Sequence, residues 1–316
     1  MPCALADGYR TLPLGSLVAC ALLSAISAPV FSGADSATPK DWFHVICLDP
    51  QTFALSEPHY WQQNVSYLLL GRRTAILFDT GPGVYSIREQ VANLTSLPIL
   101  VIPSHLHFDH VGRIQEFPHV ALLDRPELKA QVRDGEFIET SPQYMLEDPI
   151  RFRVDRWISD GGAVDLGGRT ITVINTPGHT PESITLIDLS HKRAYTGDLI
   201  NRLVTLSDVP GSDVKKTEDS LRHLLRLMPA GSRAFEAHSE QPLELTELRL
   251  LLQGITRIAS GTAVSKPMCL GGQPMLRYDV GAFPIVLPPD SNERLQPLKS
   301  VTETLEWEGG PCADKK

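Results

Sequence analysis

Residues 104–110 read Ser-His-Leu-His-Phe-Asp-His, so His105, His107, Asp109 and His110 fall within six positions. Three later residues have the same chemical character: His179 in Thr-Pro-Gly-His-Thr, Asp198 in Thr-Gly-Asp, and His238 in Glu-Ala-His-Ser-Glu. Imidazole and carboxylate are the groups that zinc and similar divalent ions prefer. A lone histidine is ordinarily a polar surface residue, but three with an aspartate at this density read as metal ligands. Seven such groups are too many for one tetrahedral ion, and the count fits two metals that share a carboxylate. His105 and His107 are two apart and point the same way in an extended segment. Asp109 and His110 lie on the turn that follows and can swing toward a neighbouring site. Each site then needs a further imidazole and a shared oxygen, which His179, His238 and Asp198 can supply.

The elements that must hold these residues are short. Val65–Leu70 and Ala75–Phe78 read as strands around a turn at Gly71-Arg72-Arg73. A helix is expected from Val84 to Leu97, with Pro98 closing it. Ile99–Ile102 is an apolar run of buried-strand type that delivers the histidine cluster at its C-terminal end, where loops commonly carry function. Further strand-like runs lie at Ala163–Leu166, Thr170–Asn175, Ser183–Asp188 and Arg193–Tyr195, and His179 and Asp198 each follow one of them. Arg233–Ala237 reads as a strand presenting His238. Helices are expected over Thr217–Met228, with Thr217 as N-cap, and over about Leu243–Ala259. Residues 124–160 form a polar, partly helical connection containing Tyr144, Met145 and Trp157, a candidate lid. The mixture suits a sheet-on-sheet core with outer helices as well as a doubly wound sheet.

The chain has 316 residues and a net charge of −8 without basic runs, which gives no footprint for nucleic acid. Leu12–Phe31 is almost uncharged and is followed by the small residues Ser32-Gly33-Ala34. That order predicts a secretory signal peptide, cleaved near Ala28 or Ala34, and export to a periplasmic or extracellular space. A membrane anchor and a lipoprotein, from Leu17-Val18-Ala19-Cys20, are the rival readings, and a membrane is a partner only if the segment is retained. Cleavage would leave Cys47, Cys269 and Cys312, an odd number, with Cys269–Cys312 as one candidate pair.

Ser-His-Leu-His-Phe-Asp-His-Val-Gly resembles the signature loop of the metallo-β-lactamase-fold superfamily. Phe78-Asp79-Thr80-Gly81, Thr176-Pro177-Gly178-His179-Thr180 and Thr196-Gly197-Asp198 are similar to its other motifs, in family order. The match spans roughly residues 42–260. The resemblance implies an α/β chain folded as a four-layer αββα sandwich, two mixed sheets flanked by helices. By the same resemblance His105, His107 and His179 bind one metal, Asp109, His110 and His238 bind the other, and Asp198 bridges them. Asp79 would hydrogen-bond in the loop that orders the ligands. Asp198, which true metallo-β-lactamases generally lack, moves the match toward the glyoxalase II, lactonase and thioesterase-like branches. The expected organisation is a signal peptide or anchor over 1–34, a catalytic domain over 35–265 and a C-terminal extension over 266–316.

Two bridged metals, with zinc expected and iron or manganese as alternatives, lower the pKa of a shared water enough to supply hydroxide. They also polarise a carbonyl oxygen. The expected reaction is hydrolysis of an acyl bond (lactone, ester, thioester or amide) in a small molecule, with Asp109 and Asp198 as catalytic carboxylates. Tyr85, Tyr144 and Tyr195 are candidate proton donors to the leaving group, although packing is the commoner role of each. Trp61, Phe108 and Trp157 are candidate pocket walls, and Asn201 a candidate substrate contact. A secreted β-lactamase-like hydrolase, a phosphodiesterase, an iron oxidoreductase and a non-catalytic metal-binding protein are the alternatives.

Overall fold

The computed structural model describes residues 41–139, 150–202, 205–206, 211–270, 273–281 and 283–287. The N-terminal segment 1–34, Tyr144, Met145, Cys312 and the tail after Pro288 lie outside the described residues. Among the described residues, no helix is long and apolar enough to cross a membrane.

The first sheet runs β1 (His44–Asp49), β2 (Thr52–Ser56), β3 (Val65–Leu70), β4 (Ala75–Phe78) and β5 (Ile99–Ile102), in that order. Its first four strands pair antiparallel, and β5 joins β4 in parallel through a crossover that contains α1 (Ile87–Leu94). That helix is shorter at both ends than Val84–Leu97. Every residue of β4 is buried, as in a strand covered on both faces. β5 hands the chain directly to the histidine loop and to the short helix α2 (Phe108–Val111).

The second sheet has the order Ala163–Asp165, Thr170–Asn175, Ile184–Asp188, Arg193–Tyr195, Arg233–Phe235 and Leu243–Glu244. Its strands alternate strictly between two cores, as a pleat of period two requires. Val173, Leu186, Tyr195 and Phe235 join the cluster shared with the first sheet. Their neighbours Ile174, Ile187, Ala194 and Ala234 join a second cluster under the helices α4 (Val214–Leu227) and α5 (Leu245–Ala259). This two-sided burial makes the chain a mixed α/β sandwich. The α4 N-cap is Asp213, whose side chain accepts from the Lys216 amide at 3.0 Å, so the helix begins before the expected Thr217. A carboxylate placed to take that amide outcompetes the later hydroxyl, which instead donates to the Asp213 carbonyl.

Within residues 124–160 the described part is partly helical, as expected, but it also holds a sheet: α3 (Pro126–Lys129) is followed by Val132–Arg133, Glu136–Glu139 and Ile150–Arg153, which pair antiparallel. Phe137 and Phe152 stack at 5.1 Å and are buried in the main core, so this segment is partly structural. Near the C-terminus, Lys266–Leu270, Gln273–Val280 and Phe283–Leu287 form a further sheet with Thr205–Leu206. Phe283, Ile285 and Leu287 pack into the cluster under α4 and α5.

Buried polar ties join the two main sheets. Arg169, in the turn just before the strand Thr170–Asn175, pairs with Asp188 at 2.6 Å and reaches the Gln51 carbonyl at 2.6 Å and Thr52 Oγ1 at 3.0 Å. At the opposite edge, the Val65 amide donates to the Ala237 carbonyl at 2.7 Å and the Ile184 amide to the Ser104 carbonyl at 2.9 Å. These two backbone bonds bring the histidine loop beside the segments that carry His179 and His238. Cys47 is disulfide-bonded, and its partner lies outside the described side chains.

Candidate metal centre

All seven candidate ligands converge at the seam between the sheets. His105 Nε2 and His179 Nε2 each lie 2.9 Å from His107 Nδ1, which gathers three imidazole nitrogens at one point. On the other side, Asp109 Oδ2 is 3.3 Å from His110 Nε2 and 3.7 Å from His238 Nε2. Asp198 stands between the groups: Oδ1 is 3.0 Å from His238 Nε2 and 3.4 Å from His110 Nε2, and Oδ2 is 3.6 Å from His179 Nε2. In each of these two triads the ligand atoms lie within 4.8 Å of one another. His110 Nε2 and Asp198 Oδ1 are both buried without a hydrogen-bond partner. Two orphaned polar atoms facing each other are costly unless a cation lies between them, so this donor set fits bound metal.

The outer ring nitrogens are held by the fold. Ser104 Oγ lies 2.9 Å from His105 Nδ1, Asp79 Oδ2 lies 2.9 Å from His110 Nδ1, and His238 Nδ1 donates to the Gln62 carbonyl at 2.8 Å. Such contacts fix the tautomer and turn the inner nitrogen toward the metal. Asp79 Oδ1 also accepts from the Ser104 amide at 2.6 Å, which pins the start of the loop. The Asp198 turn approaches this loop closely because residue 197 is glycine: its φ is 51°, and a Cβ there would lie 2.5 Å from Ser104 Cβ.

The electrostatics of the two groups differ. Burial, reinforced by neighbouring imidazoles, holds His105 well below the usual histidine range and His107 at about 3, so both rings are neutral. Burial opposes charge on His110 and His238 as well, but the surrounding carboxylates outweigh it. They hold His110 well above the usual range and push His238 up to about 9. Burial likewise acts to raise Asp109 and Asp198, yet the facing imidazoles win and keep both ionised. One group thus offers neutral nitrogen, and the other and Asp198 offer negative oxygen beside imidazoles whose charged form the carboxylates favour.

The sequence reading missed Asn64, Gln62 and Ser104. Asn64 Nδ2 donates to the Asp109 carbonyl at 3.0 Å and to Asp109 Oδ2 at 2.9 Å. Ser104 adjoins the cluster and Asn64 directly precedes an apolar strand, but Gln62 acts through its backbone and leaves no side-chain signal. Tyr195 proves a poor proton donor, because it is fully buried against Tyr67 and Phe235. Tyr85 packs on Trp42 at 4.8 Å, and Trp157 lies under Lys129. Trp61 is 58% exposed on the loop that carries Gln62 and Asn64.

The family model described as Metallo-beta-lactamase superfamily matches residues 59–230, more than half of the chain. The chain belongs to the metallo-beta-lactamase superfamily. Among its relatives, acyl-coenzyme A thioesterase MBLAC2 of Gallus gallus is 27% identical over 219 residues, covering 60% of this chain and 78% of that protein. The human protein of the same name is 26% identical with the same coverage. Hydroxyacylglutathione hydrolase GloC of Haemophilus influenzae is 27% identical, covering 54% of this chain and 81% of its own. These names fit the glyoxalase II and thioesterase-like branch of the superfamily. A metallo-beta-lactamase from Pontibacter korlensis shares the fold, with a TM-score of 0.52, 17% identity, and coverage of 68% of this chain and 99% of its own.

Proposed function

We propose that this metallo-beta-lactamase superfamily member hydrolyses an acyl bond of a small molecule with two divalent metals, zinc by preference. The observation that carries the reading is the pair of three-ligand groups with Asp198 between them. His105, His107 and His179 would hold one metal, Asp109, His110 and His238 the other, and Asp198 would touch both. Metals bound there supply a water of lowered pKa and polarise a carbonyl. Asp109, fixed by Asn64, is the acceptor that orients the attacking water, and Asp198 keeps the two groups in register. Among lactones, esters, thioesters and amides, thioesters come first, because relatives are named as a thioesterase and a hydroxyacylglutathione hydrolase.

The test is elemental analysis of the purified full chain, combined with rates on acyl thioesters, lactones, β-lactams and phosphodiesters. Two metals per chain and thioester hydrolysis that disappears with chelator or in His107→Ala are expected. Equal rates in the stripped protein, or a preference for phosphodiesters, would overturn the reading.

Export belongs to the same proposal. The apolar run Leu12–Phe31 followed by Ser32-Gly33-Ala34 supports it. N-terminal sequencing of the mature protein from fractionated cells should find a start near residue 29 or 35, and an intact Met1 in the cytosolic fraction would refute it.

A further inference from the structure

We infer that Asn64 is a positioning residue for the metal position formed by Asp109, His110 and His238, so that the two positions are retained by different parts of the fold. The inference rests on the two-metal reading above. Asn64 is 2% exposed and closes a tight loop, in which the Glu57 amide donates to the Asn64 carbonyl at 2.8 Å. Its side-chain nitrogen reaches two atoms of Asp109, the backbone carbonyl at 3.0 Å and Oδ2 at 2.9 Å. Both are acceptors only, which sets the amide orientation, and Asn64 Oδ1 makes no hydrogen bond. Oδ2 is also the oxygen that faces His110 Nε2 and His238 Nε2. A carboxylate oxygen has room for two such partners, so Asn64 occupies one direction and leaves the other aimed at the metal.

The same loop holds a second member of that group, because the Gln62 carbonyl accepts from His238 Nδ1 at 2.8 Å. On the other side, His105 is held by Ser104 Oγ at 2.9 Å, a hydroxyl that lies farther from His110 Nδ1, at 3.3 Å, and the His105 ring lies 4.5 Å from that of His107. The loop 57–64 therefore grips Asp109 and His238 together, and loosening it should weaken one metal position well before the other.

The experiment is a zinc titration of the chelator-stripped full chain against a chromophoric competitor, comparing wild type, Asn64→Ala and Asn64→Asp. Asn64→Asp preserves the side-chain shape while replacing the donor with a like charge, which keeps the test open if Asn64→Ala folds poorly. For both Asn64 variants we expect one equivalent bound as in wild type and the other weakened about 10- to 100-fold, the usual cost of losing a partner of a ligand. Undiminished binding of two equivalents by the Asn64 variants, or equal weakening of both positions, would overturn the role of Asn64 while leaving the two-metal reading intact. Wild-type protein that binds fewer than two equivalents would overturn that reading and this inference with it.

Discussion

The Asp79 carboxylate lies 2.9 Å from His110 Nδ1, from a residue whose own backbone is left-handed, with φ of 68°. Asparagine tolerates that conformation, so Asp79→Asn removes the charge and leaves the backbone as it is. The exchange should lower metal affinity about 10-fold or more while the fold is retained, because His110 loses the anion that orients it. Metal titration with a circular dichroism control checks this, and unchanged affinity would rule it out.

Gly197 serves close approach as well as its positive φ. Gly197→Ala places a methyl 2.5 Å from Ser104 Cβ and adds left-handed strain of about 1–3 kcal/mol. Gly197→Asn carries the same Cβ but suits the backbone better. If contact with Ser104 is limiting, both variants lose metal and activity. Recovery in the asparagine variant would show that φ alone matters.

Arg169 and Asp188 are both buried, and removing one partner strands the other charge. Arg169→Met should cost about 3–5 kcal/mol in denaturant unfolding. The double variant Arg169→Met with Asp188→Leu should be less damaging than the single one. A double variant worse than the single would show that Asp188 is satisfied without the arginine, through Ser190 and His191.

Glu57 is buried beside Trp42, whose indole nitrogen donates to Oε2 at 2.6 Å. Burial raises its pKa to about 7 against the partial relief from that bond and from Arg113. The native state therefore binds a proton that the unfolded chain releases above about 4.5. Stability from this group is full below that value and lost as pH rises through about 7. In metal-stripped protein, Glu57→Gln should match wild type near pH 5 and exceed it by about 1–3 kcal/mol at pH 8. Melting curves across that range check the sign, and parallel pH profiles would refute it.

Much of the site was legible because ligand chemistry is confined to few residue types. His105, His107, Asp109 and His110 stood out by density, and His179, Asp198 and His238 by their position after strand-like runs. The supports were harder to see. Asn64 is an amide before a strand, a common arrangement without function, and Gln62 contributes only a carbonyl. Strand alternation was the overlooked signal for Tyr195, since Ala194 and Tyr195 must face opposite cores. The strands within 124–160 were hidden by polarity, because they bury at most one described residue each, such as Phe137 and Phe152. Asp213 was passed over as a cap because the turn after it, Val214-Lys215-Lys216, lacks the apolar repeat that marks the rest of the helix.

The backbone bonds from Val65 to Ala237 and from Ile184 to Ser104 have a consequence for when the centre comes into being. Ligands drawn from residues as far apart as His105 and His238 share no location in the unfolded chain. A metal held by both groups would find its full donor set only after the last strands of the second sheet close against the first. Selectivity among divalent ions depends heavily on which ions are available. The compartment in which this chain completes its fold would then influence which metal such a site takes up.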